Sequence, residues 1–535
     1  MSDARGRRHE RDRRDLRGDG RARHPPRGAR HSARARVARP RAHAAERQAR
    51  DHRRGRASAR RVAAGAPRAH RRRPGEVTSG RLKRELGVVP LAAIVFFNVS
   101  GGPYGLEDLV PAFGPGLTLL LLVVTPVLWS LPVALVVAEL AAAMPDEGGY
   151  VTWTRRAFGD FWAFQVGWWS WIDSFVDVAV YPALFVEYVA FWSPAMTALE
   201  RWLLAVAFIV ALTALNVLGV RPTGRAAVVL AAAALVPVIA LVDAGAGQLT
   251  RRPWTSLALE PVDVTTIGLG LAVVMWNYSG WDTPSTALGE TRAPEHTFRR
   301  ALFVALPIIA LSYALPVAIA LSHDTVDARA WGTGGWPRIA SAMGGAWLGH
   351  AVAVGAVVST VGLFLSLLLT NSRLPYVLAR DGQFPGALAA VHARFGTPWV
   401  AVVVSAAIYA LFAVFSFKEL IVLNVWLYSL ALLVELAAFL RLRASAPGMT
   451  RPWRVPGGWA GAWVTALLPA ALALLAMATA GWRNTLAGVG AALTGPLIYA
   501  VVRRGTRGGP GFTPGPERGG LGGPVSGPPS TASRR

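Results

Sequence analysis

The tetrad Asn-x-Ser-Gly occurs twice, as Asn98-Val99-Ser100-Gly101 and Asn277-Tyr278-Ser279-Gly280, 179 residues apart, each time inside an apolar stretch long enough to enter a membrane. Backbone groups freed by a break in such a stretch find no water among acyl chains, so the break persists only where it lines a cavity or meets a ligand. A chain that carries two of them must bury both. Polar, glycine-containing interruptions in corresponding hydrophobic segments of two halves are also a sequence signature of a solute site between repeats.

Twelve apolar segments are predicted as membrane helices, at 88–112, 117–142, 161–190, 202–218, 226–243, 264–288, 301–321, 350–370, 398–416, 419–440, 459–479 and 485–502. Most approach or exceed the ~20 residues that cross ~30 Å of hydrocarbon. With the first segment starting inside, Lys and Arg between residues 77 and 502 divide as 17 on the inner side and 7 on the outer. That asymmetry supports the segment count and puts both ends in the cytoplasm of a cell-membrane protein. The break-bearing segments are the first and the sixth, so each half has five spans and the halves must run in opposite senses. The expected fold is therefore all-α: twelve transmembrane helices in a LeuT-type five-plus-five inverted repeat (about 88–243 and 264–440), broken helices 1 and 6, and two extra C-terminal helices.

Composition separates this core from its ends. The 535 residues are 53% hydrophobic and carry a formal net charge of +25. Residues 1–76 hold 26 Arg against 8 acids, and residues 503–535 hold 6 against 1. The stretch between them has 24 basic and 22 acidic residues. The basicity is a property of the tails, and no nucleic-acid partner is expected for the folded part. Residues 1–76 cannot bury enough apolar surface to offset ordering entropy and are expected to be disordered, as is the Gly/Pro/Arg tail 503–535. The first tail reads as an extension upstream of a true start near Val77, the alternative being an anionic-lipid or RNA-binding arm. Cysteine is absent, which excludes disulfides, thiolate metal sites and a cysteine nucleophile.

Candidate site residues cluster at the breaks. The run from Asn98 to Gly105 packs three glycines and a proline into eight positions, removing both the steric bar to unwinding and a backbone donor. Amides freed near Gly101 and Gly102 could hold a carboxylate, and carbonyls near Asn98 and Ser100 an amine or cation. The alternative is close helix packing by small residues. The sixth segment reads Trp276-Asn277-Tyr278-Ser279-Gly280-Trp281-Asp282. A carboxylate such as Asp282 facing lipid would cost ~2.5–3.5 kcal/mol, so it is expected to face a cavity as a cation or proton site; its other reading is a helix cap, since Thr, Pro and Ser follow. Trp276, beside the break, is the aromatic expected to stack on or gate a cation. Asp173 and Asp177 stand four apart on one helical face. Two carboxylates so placed resist double ionisation, so the pair is expected to share a proton or take an ammonium group. Asp173 could equally meet an interhelical donor. Glu107 and Asp108, after the first break, are expected at the outer mouth or in a solvated loop. Glu139 and Glu435 read as structural partners of inner-surface arginines.

Soluble-enzyme readings fail. No G-x-x-x-x-G-K-[ST] run is present, and Gly268-Leu269-Gly270 lacks a third glycine. Six of the ten His lie in the first tail, and the other four show no paired ligand spacing. No cofactor or metal is expected.

The residues resemble a known family. Ser100-Gly101-Gly102-Pro103-Tyr104-Gly105-Leu106-Glu107-Asp108, Gly148-Gly149-Tyr150, Tyr181-Pro182, Gly289-Glu290-Thr291, Arg380-Asp381-Gly382-Gln383-Phe384-Pro385 and Arg451-Pro452-Trp453-Arg454-Val455-Pro456-Gly457-Gly458 look like the amino acid/polyamine/organocation (APC) superfamily. The closest likeness is to its polyamine-uptake and L-amino-acid-transporter-like branch, and it covers residues 85–500. The resemblance implies a secondary transporter working by alternating access, with helices 3, 8 and 10 walling a central site. It implies that Trp276 stands where relatives keep a gating tryptophan, Asp282 where bacterial putrescine transporters keep a binding Glu, and Asp177 at an acidic position of plant polyamine carriers. One departure is that residues 226–243 lack the Lys that replaces sodium in some proton-coupled relatives. An aspartate of helix 3 is the replacement candidate for coupling. The expected substrate is an amine-bearing solute moved with protons, a polyamine ahead of a neutral or cationic amino acid, with a transporter-like receptor and a channel as rivals.

Overall fold

The computed structural model describes residues 82–255, 264–413 and 417–507. The expected tails, apart from residues 503–507, lie outside the described residues.

Among the described residues the regular structure is helical, with one isolated parallel bridge between Leu86 and Thr291. Helix α1 spans Val88–Val99 and stops where Ser100 turns extended, φ −145° and ψ 168°. Helix resumes as α2, Leu109–Thr125, passes through a π turn at Pro126–Ser130, and continues as α3, Leu131–Ala143. The expected gap between the first two segments falls at Gly114, whose φ +71° and ψ 170° are non-helical, so two helices meet there across a kink. That φ is open to glycine, and Pro115 restarts the helix at a position that needs no amide donor.

A short helix α4, Tyr150–Phe158, leads to α5, Asp160–Asp177, and α6, Val180–Val189. The expected third segment is therefore two helices. Pro182 lacks the amide that would bond the Val178 carbonyl, and the helix breaks there. Helices α7, Ala198–Val217, and α8, Val220–Ala246, follow. The second interrupted segment is α9, Val264–Asn277, then irregular chain, then a 3₁₀ turn at Thr283–Glu290. The rest comprises α10, Pro294–Ser322; α11, Trp336–Gly344; α12, Ala346–Asn371; α13, Arg373–Arg380; α14, Trp399–Phe412; α15, Phe417–Ser445; α16, Gly458–Thr479; and α17, Trp482–Arg507.

Among the described residues, eight helical stretches are long and apolar enough to cross a membrane, and α1 and α14 are shorter apolar helices. The four of the twelve expected spans that fall short are the two interrupted ones, the one divided at Pro182, and α14. Outward faces are apolar as well: Val229 and Ile239 of α8, Leu467 and Leu474 of α16, and Leu486, Leu497 and Val501 of α17 are exposed. Such surface suits hydrocarbon rather than water.

Between helices, cohesion in lipid comes from close contact and polar groups rather than from hydrophobic burial. α12 runs along α8, α10 packs on α1 and α3, and α15 lies against α5, α9 and α16. At Gly362 of α12 a β-carbon would sit 2.2 Å from the Phe97 ring, so that ring packs directly on the α12 backbone. Two buried ion pairs fix one end of the bundle. Arg373 donates to both oxygens of Glu290 at 2.8 and 3.0 Å, with both side chains 1% exposed. Glu139 receives two bonds from Arg443, at 2.9 and 2.5 Å, and the amide of Val455 at 2.7 Å, with Arg451 3.4 Å away.

Candidate functional site

The two tetrads meet. A β-carbon on Gly280 would lie 2.3 Å from the Asn98 carbonyl oxygen, and Gly280 has φ +93°. Only glycine meets both demands. The asparagines repeat one interaction: Asn98 Nδ2 donates to the Ile94 carbonyl at 2.8 Å, and Asn277 Nδ2 to the Val273 carbonyl at 2.9 Å. The Tyr313 hydroxyl of α10 spans the crossing, donating to the carbonyls of Val99 at 3.2 Å and Asn277 at 2.8 Å. These are among the carbonyls a helix end leaves without a partner.

Other freed groups are also engaged. Gly102 N–H donates to Ser100 Oγ at 3.1 Å, Ser359 Oγ to the Gly101 carbonyl at 2.5 Å, and Trp336 Nε1 to the Pro103 carbonyl at 2.7 Å. Thr370 Oγ1 donates to Asn98 Oδ1 at 2.8 Å, and Ser279 Oγ to the Met275 carbonyl at 2.6 Å. Gly101 also carries the packing role weighed for it, because a β-carbon there would overlap Ser359 and Leu363.

Two buried carboxyls, Asp173 and Asp282, and the half-buried Asp177 gather beside the crossing. Asp282 makes no N-cap hydrogen bond to the 3₁₀ turn that follows it; Tyr428 of α15 donates to its Oδ1 at 2.7 Å, and the Gly280 amide donates to that same hydroxyl at 3.1 Å. Asp173 accepts from Asn424 Nδ2 at 3.1 Å, which is the interhelical donor weighed for it. Asp177 accepts from Trp276 Nε1 at 3.0 Å, and Tyr181 stacks on Trp276 with ring centroids 6.1 Å apart. Each of the three aspartates thus faces a neutral donor, which leaves its negative charge unmatched by that contact.

Glu107 is buried rather than solvated. Gly105 N–H and Tyr188 OH donate to its two oxygens at 2.7 and 3.0 Å, which pins the loop after the first break. Asp108, partly buried, accepts from Thr333 Oγ1 at 2.6 Å.

Glu435 requires a correction. Glu139 does hold arginines, Arg443 and Arg451, but Glu435 pairs with none among the described residues; it lies on the face of α15 from which Tyr428 reaches Asp282. It lies seven residues beyond Tyr428, two turns along the same helical face, whereas the Arg441 guanidinium lies over the Phe158 ring at 5.2 Å. Asn424, Tyr428 and Glu435 line the acidic region from α15 at spacings of four and seven. That polar stripe in an apolar helix was the available signal.

Comparison with known proteins gives the family. Residues 86–503 match the family described as amino acid permease. The protein named polyamine transporter PUT1 of Oryza sativa subsp. japonica is 34% identical over 421 residues, covering 78% of each chain. Polyamine transporter RMV1 of Arabidopsis thaliana is 32% identical, covering 79% of this chain and 86% of its own. A protein of Mycobacterium tuberculosis, named only as an uncharacterized transporter, is 30% identical over 62% of this chain and 74% of its own. Such relatives are transporters and not enzymes. With nearly all of its described helices inside that match, the chain belongs to the amino acid permease family, multi-pass membrane transporters of the APC superfamily.

Proposed function

We propose that this protein is a secondary active transporter of amine-bearing small solutes, coupled to protons, with a polyamine such as putrescine or spermidine as its substrate. In this reading it works in the cell membrane by alternating access, through a twelve-span, five-plus-five inverted repeat whose termini face the cytoplasm. The observation that carries it is the row of Asp173, Asp177 and Asp282 beside the crossing of the breaks, each met by a neutral donor. Buried carboxylates without a matching cation suit a ligand that brings its own charges. A polyamine has several ammonium groups and no carboxylate. The Gly102 and Gly280 amides, two that an α-carboxylate could take, are already bonded to Ser100 and Tyr428. Relatives named as polyamine transporters support the same choice.

Within this reading, Trp276 and Tyr181 form an aromatic wall over which an alkyl-ammonium chain can lie. Asn98, Ser100, Asn277 and Ser279 shape the crossing that holds the aspartates in place. A neutral or cationic amino acid permease is the second reading, since bonds from Gly102 and Gly280 amides can be exchanged for bonds to a ligand. Uptake of radiolabelled putrescine and of leucine into proteoliposomes, with and without a pH gradient, separates the two. Saturable, gradient-dependent putrescine uptake is expected. Leucine uptake alone would replace the substrate assignment, and binding without counterflow would replace the transporter by a receptor.

A further inference from the structure

Asp282 and Glu435 are brought near one another by different elements, the irregular chain after α9 and the body of α15: Tyr428 donates to Asp282 at 2.7 Å, and Glu435 lies two turns further along the face of α15 that carries Tyr428. Neither oxygen of Glu435 receives a hydrogen-bond donor, and the residue is 1% exposed. Two neighbouring carboxyls away from water cannot both remain ionised without a positive charge between them. The titratable groups facing the pair are Tyr150 of α4, Asp173 of α5, and Tyr428 of α15 itself. Helices α9 and α16, packed on α15, contain no ionisable side chain in their sequences. Glu139 of α3 is committed to Arg443 and Arg451, Glu187 of α6 pairs with Arg201, and the arginines of α17 stand at its ends. None of the facing groups supplies a cation.

Resting on the reading of the protein as an amine transporter, we propose that the pair of Asp282 and Glu435 is a single-cation site, filled by a proton in the empty carrier and by one ammonium group of the substrate in the loaded one. The exchange balances. An arriving ammonium group takes its place between two carboxylates, the shared proton passes to water on the open side, and the pair keeps one positive partner throughout. Proton and substrate are then alternative occupants, and the carrier returns only with one or the other. Coupling resides on Glu435 with Asp282, rather than on the Asp173 and Asp177 pair suggested by their spacing.

The test uses the full chain in detergent, weakly buffered near neutral pH with an indicator dye, titrated with putrescine. Release of about one proton per putrescine bound is expected. Glu435→Gln should bind putrescine more weakly, and the proton released per putrescine still bound should fall fivefold or more, because the Gln amide donates to Asp282 where the shared proton sat. In proteoliposomes acid should inhibit uptake by the unaltered protein, and whatever uptake the variant retains should lose that inhibition. Putrescine binding without proton release by the unaltered protein would overturn the inference, as would full proton release by a folded Glu435→Gln. The first measurement decides even where the variant does not fold. Failure to bind putrescine or spermidine at all would remove the amine-transporter reading itself, and this inference with it.

Discussion

Gly280 stands so close to the Asn98 carbonyl that a β-carbon would come within 2.3 Å of its oxygen. One interrupted helix therefore fits against the other only through a residue with no side chain, and the same residue needs φ +93°. Gly280→Ala should displace the crossing. The backbone strain alone is worth about 1–3 kcal/mol. A lower melting temperature and loss of substrate uptake are expected, read by thermal-shift and proteoliposome assays; wild-type values for both would contradict the contact.

Tyr313 gives the crossing its polar link. Tyr313→Phe keeps the ring and removes the donor shared by the Val99 and Asn277 carbonyls. A buried acceptor left alone costs about 1–3 kcal/mol, so thermal stability should fall while the protein remains monodisperse on size exclusion. An unchanged melting temperature would show that the hydroxyl does not bear on stability.

Asp282→Asn should abolish transport of cationic solutes in a folded protein. Losing one side of a buried charge contact costs ~2–5 kcal/mol, at least about 30-fold in affinity. Putrescine binding by calorimetry checks it, and unaltered affinity would remove Asp282 from the site.

Glu147, in the turn between α3 and α4, predicts a pH effect on stability. Burial first, then the neighbouring Glu290 charge, pushes its carboxyl up to about 8, against opposing pulls from Arg373 and Arg380. Neither oxygen has a hydrogen-bond partner, and Oε2 lies against Gly289. The folded state therefore holds this proton more tightly than the unfolded chain does. Its contribution is fully present below the ordinary carboxylate range and is lost as pH rises through about 8. The melting temperature should drop as pH rises from the ordinary carboxylate value of 4.5 to about 8, and Glu147→Gln should flatten that drop. Equal slopes for the two proteins would refute it.

Much of this was legible because it is local. Gly101, Gly102 and Pro103 disrupt a helix wherever they occur, and the i to i+4 spacing of Asp173 and Asp177 fixes a shared face before any tertiary contact forms. The partners were not legible. Asn424, Tyr428 and Glu435 are single polar residues spread over three turns, and what each meets depends on how α15 is rotated against α5 and α9. Glu435 was misread for that reason, since proximity in sequence to Arg441 says little about which face it occupies. Tyr313, alone in a long apolar helix, carries no sign that its hydroxyl reaches two carbonyls. Glu107 looked like loop chemistry because its anchors, Tyr188 and Gly105, belong to a fold the sequence does not spell out.

The Tyr313 hydroxyl has one hydrogen to share between two carbonyls. The fastening at the crossing is thus a single rivet. Parting the two broken helices there releases one polar contact of the order of 1 kcal/mol, comparable with thermal agitation. A joint this light costs little to part, yet still registers the two broken helices against each other where it is closed.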